Sequence, residues 1–152
     1  MMSASRSQSR QAALQVLYAV DVGRHGAEAI EPGAVESALL EVGANFELPE
    51  GAREYARELA LGVARERAPI DRLIAAHATN WRIERMAAVD RNVLRLAVYE
   101  MGWAGLPATV AIDEAVELAR RFGSDPSPGF VNGVLDAIAH TLGSADDRAG
   151  TA

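Results

Sequence analysis

Two arginines four residues apart, Arg6 and Arg10, and a tyrosine eight positions further on, Tyr18, are the first side chains whose chemistry and spacing combine. If the helix holding them reaches back to Ser5, the guanidiniums share a face and Tyr18 follows two turns beyond Arg10. Such a strip can grip phosphates and stack an unpaired base, the usual way of holding single-stranded RNA. A solvated arm beside a half-buried tyrosine accounts for the same residues. With only two to four phosphates neutralised, the log-log salt slope would be about -1.5 to -3 for a single strand. A second basic spot, Arg120-Arg121-Phe122-Gly123, falls at a helix C-terminus. There cations also complement the macrodipole, so an RNA contact through Arg120 and Phe122 competes with a purely local role.

Catalytic chemistry finds less support. Glu100 and Glu114 could form an acid/base pair, yet no nucleophile, ligand cluster or nucleotide loop accompanies them. Glu100 is in line with Val93, Leu96 and Ala97, so its carboxylate should face the interior. A buried carboxylate needs donors, and the free backbone N-H groups after Pro107 are near in sequence. His25, His77 and His140 are far apart and fit no metal-ligand spacing, and the chain has no cysteine. Thiolate zinc sites, disulfides and cysteine nucleophiles are thereby excluded, and neither metal nor cofactor is expected.

The elements positioning these groups read as helices. At 152 residues the chain suits one compact domain. Apolar residues recur at helical spacing and period-2 alternation is nowhere sustained, which implies an all-α domain of about six or seven helices. The first is expected over Ser9 to Asp21, ended by Gly23 and Gly26, with a connector over Gly23 to Gly33. Pro32 should open a short helix carrying Val35, Leu39, Leu40 and Val42. A further helix runs from Gly51 to Arg67, and Pro69 breaks or restarts the chain before Ile70, Leu73, Ile74 and His77. The central helix carries Met86, Val89, Val93, Leu96, Ala97 and Met101 on one face, which makes it the core's spine. Pro107 should start the next helix, closed by Gly123 as a left-handed cap, and Ser127-Pro128 the last, buried through Val131, Val134, Leu135, Ile138 and Leu142. The expected organisation is a flexible basic arm over 1–8, one domain over 9–142 subdivided near 68–69, and a disordered tail over 143–152.

Formal net charge is -6, which argues against binding nucleic acid by bulk electrostatics. The distribution is uneven: the first twenty residues hold Arg6 and Arg10 and no acid, and the acids begin at Asp21. All fifteen basic residues are arginine, for which codon bias is sufficient explanation. The N-terminus has no apolar signal-like stretch and no later run is long enough to span a bilayer, so a soluble cytoplasmic protein is expected.

Four ordered blocks carry a family resemblance: Ala13-Leu14-Gln15-Val16-Leu17-Tyr18, then Asp90-Arg-Asn-Val-Leu-Arg-Leu-Ala-Val-Tyr-Glu100, then Val110-Ala-Ile-Asp-Glu-Ala-Val-Glu-Leu-Ala119, then Phe130-Val-Asn-Gly-Val-Leu-Asp136. Together they resemble the NusB family of bacterial transcription antitermination factors, over roughly residues 10 to 22 and 55 to 142. The resemblance implies two antiparallel helical bundles and a non-enzymatic RNA-binding protein. Such a protein pairs with NusE, recognises boxA in nascent rRNA transcripts, and reaches the RNA polymerase elongation complex through other Nus factors. It further implies RNA contacts by Arg6, Arg10, Gln15, Tyr18, Arg120 and Phe122, and a NusE-receiving surface at Asp90 and Arg91. The arm is thinner than the family often shows, and Asp125-Pro-Ser-Pro-Gly129 departs from its more polar loop. Alternatives within the resemblance are a homodimeric NusB-like module, or a free-standing partner of an rRNA-modifying enzyme.

Overall fold

A computed structural model describes residues 4–23, 30–43, 48–49 and 51–151. Among them are seven α-helices: α1 (Ala4–Gly23), α2 (Pro32–Gly43), α3 (Ala52–Arg65), α4 (Arg67–His77), α5 (Ala88–Gly102), α6 (Ala108–Phe122) and α7 (Ser127–Thr151), with a 3-10 turn at Ile83–Arg85 before α5. Most of the connector expected over 23–33, His25 included, lies outside the described residues. No described helix is long and apolar enough to cross a membrane.

α5 organises the molecule. It packs against α1, α3, α4, α6 and α7, while α2 packs against α1 and α3. The expected one-sided stripe understates this: Arg91, Asn92, Val93, Leu94, Arg95, Leu96, Ala97 and Val98 are all buried, as is Glu100. A helix enclosed on all sides buries its polar residues too, and each then needs a partner. The apolar core is one continuous cluster, from Leu14 and Leu17 of α1 through Leu59 and Val63 of α3 to Leu135 and Ile138 of α7.

Several boundaries differ from the sequence expectation, each for a local reason. α1 starts at Ala4 instead of Ser9, so Arg6 lies within the helix. Its first turns are tied down by tertiary contacts, with the Ser9 hydroxyl donating to the Ala52 carbonyl at 2.7 Å and Ser7 to Glu114 at 3.3 Å. Pro32 does open α2, where the Glu31 carboxylate caps the N-H groups of Gly33 and Ala34 at 3.2 and 2.6 Å. Leu40, one residue past the buried face, is exposed. The break between α3 and α4 falls at Glu66; Pro69 sits in the first turn of α4, where its missing N-H costs nothing. Pro107 is the residue before α6 and not its first.

Gly123 is extended (φ -96°, ψ -167°) and not a left-handed cap. A glycine is needed there by crowding, since a Cβ would lie 2.6 Å from the Ser127 Oγ. That hydroxyl accepts the Ser124 N-H at 3.0 Å, closing the α6–α7 turn in place of the N-cap expected of Ser127. The backbone of α7 stays helical through Gly143 to Thr151, beyond the expected stop, because one helical glycine costs only about 1 kcal/mol.

Candidate nucleic-acid interface

Arg10 is a core residue, 1% exposed. Its Nε and Nη2 donate to the Glu100 carboxylate at 2.9 and 2.8 Å, and the Tyr55 hydroxyl of α3 donates to the same carboxylate at 2.5 Å. Glu100 is thus interior as expected, but its donors come from α1 and α3. The α5–α6 turn uses the Glu100 backbone carbonyl, which accepts the Leu106 N-H at 2.9 Å. Arg10 Nη1 points toward Glu114 at 3.8 Å. Burial opposes the Arg10 charge, but the hydrogen bond and field of Glu100 outweigh it and raise the Arg10 pKa. Burial and the bond to Glu100 push the Tyr55 hydroxyl well above the usual tyrosine range. Arg10, expected at an RNA surface, is thus placed in the interior as a latch between α1, α3 and α5.

Arg6 is exposed, with its guanidinium 3.6 Å from the centroid of the Tyr55 ring. That places it on the α3 side of α1. The shared strip with Tyr18 fails on helical geometry: at 100° per residue, eight positions put Tyr18 roughly 80° round the helix from Arg10, and twelve put it about 120° from Arg6. The arginines and the tyrosine belong to different faces.

Tyr18 instead meets the end of α6. A groove of about 540 Å³ is lined by Gln11, Leu14, Gln15 and Tyr18 of α1, Val89 of α5, and Arg121 and Phe122 of α6. Leu14 and Val89 form an apolar floor. Tyr18 and Phe122 are 42% and 46% exposed, large aromatic surfaces left open to solvent. Gln15 is exposed and offers an amide donor and acceptor. Three expected RNA residues, Gln15, Tyr18 and Phe122, thus come together from two distant segments. Arg120 does not join them: it pairs with Glu117 at 2.7 Å and lines a separate groove with Asp113 and Asn132.

Arg91 also departs from expectation. Only 9% exposed, it donates through Nε to Asp21 at 2.7 Å, pairs with that carboxylate a second time through Nη2, and bonds the Met86 carbonyl at 2.9 Å. Asn92 and Arg95 donate to the same carboxylate at 2.9 and 3.2 Å, and Arg95 extends to Asp71 of α4 at 2.9 Å. Burial would raise the Asp21 pKa, but the bonds from Arg91 and Asn92 and the fields of both arginines outweigh it and hold it below the usual carboxylate range. Asp90 alone remains at the surface. It is half-buried beside a cleft of about 230 Å³ lined by Trp81, Arg85, Met86, Ala87, Pro126 and Phe130. Its Oδ1 has no hydrogen-bond partner among the described residues. Trp81, 56% exposed, meets Phe130 edge-on at 6.1 Å.

Tyr55, Arg95, Asp71 and Trp81 were not singled out from the sequence as site residues, and Arg121 was named only as part of the basic run at the end of α6. Arg91 and Arg95 give the one usable signal: two cations at i, i+4 inside an apolar helix require buried acids. Among the described residues no three His, Cys, Asp or Glu side chains are grouped to hold a metal.

Comparison with known proteins places this geometry. The family model described as the NusB family matches residues 7–140. A transcription antitermination protein NusB from Sorangium cellulosum is 50% identical over 143 residues, covering 93% of this chain and 96% of that protein. Among solved structures, NusB of T. maritima superposes with a TM-score of 0.74 at 36% identity, covering 91% of this chain and 93% of that one. Antitermination factors NusB and NusE in complex with double-stranded RNA give a TM-score of 0.74 at 30% identity, with coverages of 92% and 99%. With the match spanning the α1 groove, the α5 spine and most of α7, this chain belongs to the NusB family.

Proposed function

We propose that the protein is a non-enzymatic, cytoplasmic transcription antitermination factor that binds boxA RNA together with NusE, through the groove between α1 and the end of α6. The observation that carries this reading is the convergence of Tyr18, Phe122 and Gln15 on one groove. Two open aromatic faces over an apolar floor suit unpaired bases, and an adjacent amide can read a base edge. The solved relative in complex with NusE and double-stranded RNA supports the partner, and RNA as the kind of ligand. NusE is taken to dock at the Trp81 cleft beside Asp90, since Arg91 is committed to Asp21 inside the fold.

The test is fluorescence anisotropy of a labelled boxA RNA, with protein alone and with NusE, competed by unlabelled single-stranded and duplex RNA. Tighter binding with NusE, lost in Tyr18→Ala/Phe122→Ala at unchanged thermal stability, supports the reading. Each stacked base is worth about 1–3 kcal/mol, so the double variant should bind at least tenfold more weakly. Equal binding by wild type and double variant would overturn the site. No binding with or without NusE would overturn the function.

A further inference from the structure

The groove's aromatic walls suit stacked bases, but a nucleic-acid strand also brings phosphates. Neither N-terminal arginine faces the groove: Arg10 is sealed against Glu100, and Arg6 lies over the Tyr55 ring. Arg120 projects into a different groove and is paired with Glu117. Arg121 is the cation that lines this one. It is exposed, and its guanidinium lies 5.5 Å from the centroid of the Phe122 ring. Among the described residues no carboxylate comes within ion-pair distance of it.

From this placement, and resting on the RNA-binding reading above, we propose that Arg121 is the groove's phosphate-binding residue, anchoring the backbone of a single RNA strand whose base lies against Phe122 or Tyr18. Both Arg120 and Arg121 sit in the last turn of α6 and complement its macrodipole equally. Their directions separate them, since adjacent residues point about 100° apart on a helix. A guanidinium beside an aromatic ring can bond phosphate oxygens through its planar fork while the ring stacks a base. The positive charge is local, so an acidic protein can still hold a polyanion at this point.

The full-length protein with a labelled single-stranded boxA RNA, titrated at several salt concentrations, distinguishes the two arginines. Arg121→Ala should weaken binding roughly tenfold, the value of one charge-assisted hydrogen bond, and reduce the magnitude of the log-log salt slope by about 0.7. Arg121→Lys should restore the slope, and Arg120→Ala should leave both affinity and slope near wild type. The side chain is exposed, so melting temperatures should agree across all variants. If Arg120→Ala loses binding and Arg121→Ala does not, the assignment is overturned while the RNA-binding reading stands. If wild type itself fails to bind at low salt, with or without NusE, the reading falls and the assignment with it.

Discussion

Truncating Arg10 leaves the Glu100 carboxylate buried with only the Tyr55 hydroxyl to hold it. Breaking one side of a buried ion pair typically costs about 3–5 kcal/mol. Arg10→Ala should therefore lower the urea midpoint by a large margin, whereas Arg6→Ala, at an exposed site, should shift it little. Acid sensitivity belongs to the second cluster. The folded-state pKa of Asp21 is depressed, so its stabilising contribution is fully present above the ordinary aspartate value of about 3.9. It declines as pH falls past that value and is gone below the depressed one. Asp21→Asn should be less stable than wild type at pH 7, with the difference shrinking below pH 4 in urea titrations followed by circular dichroism; an undiminished difference would contradict the assignment. Residue types were legible in the sequence here, and partners were not. Arg10 and Arg91 look like surface cations until α5 is seen to be enclosed on all sides.

At the level of elements, the α3–α5 contact depends on one missing Cβ. A side chain at Gly62 would collide with the Tyr99 ring, which is stacked on Trp103 with centroids 6.4 Å apart. Gly62→Ala should destabilise by about 1–3 kcal/mol, as overpacking commonly does, even though alanine is the better helix former. Tyr99→Leu in that background should recover part of the loss, which a double-mutant cycle would measure. Helix number and order were readable because apolar periodicity is local. The ends were less so, since α1 is extended by Ser7 and Ser9 bonding to Glu114 and Ala52, contacts with residues more than forty positions away. The candidate groove was half legible: Tyr18 and Phe122 were both identified, but nothing local reveals that they line one groove, or that Arg121 and not Arg120 lines it with them.

At the level of the whole molecule, a chain of net charge -6 cannot hold RNA by its overall field. In the proposed function, few phosphate contacts give a shallow salt dependence and modest affinity alone, and a partner such as NusE would add the rest by holding the strand on a composite surface. The Trp81 cleft shares no lining residue with the Tyr18 groove. Trp81 fluorescence should consequently respond to NusE, and Asp90→Arg should weaken NusE binding at least severalfold while leaving the protein's own RNA affinity unchanged. The placement of RNA on the groove is tested most directly by following arginine Nε-H and aromatic ring signals by nuclear magnetic resonance during titration with boxA RNA. The expected result is movement of the Tyr18, Phe122 and Arg121 signals with the Arg10 Nε-H signal unchanged. Movement of Arg10, with Tyr18 and Phe122 still, would contradict it.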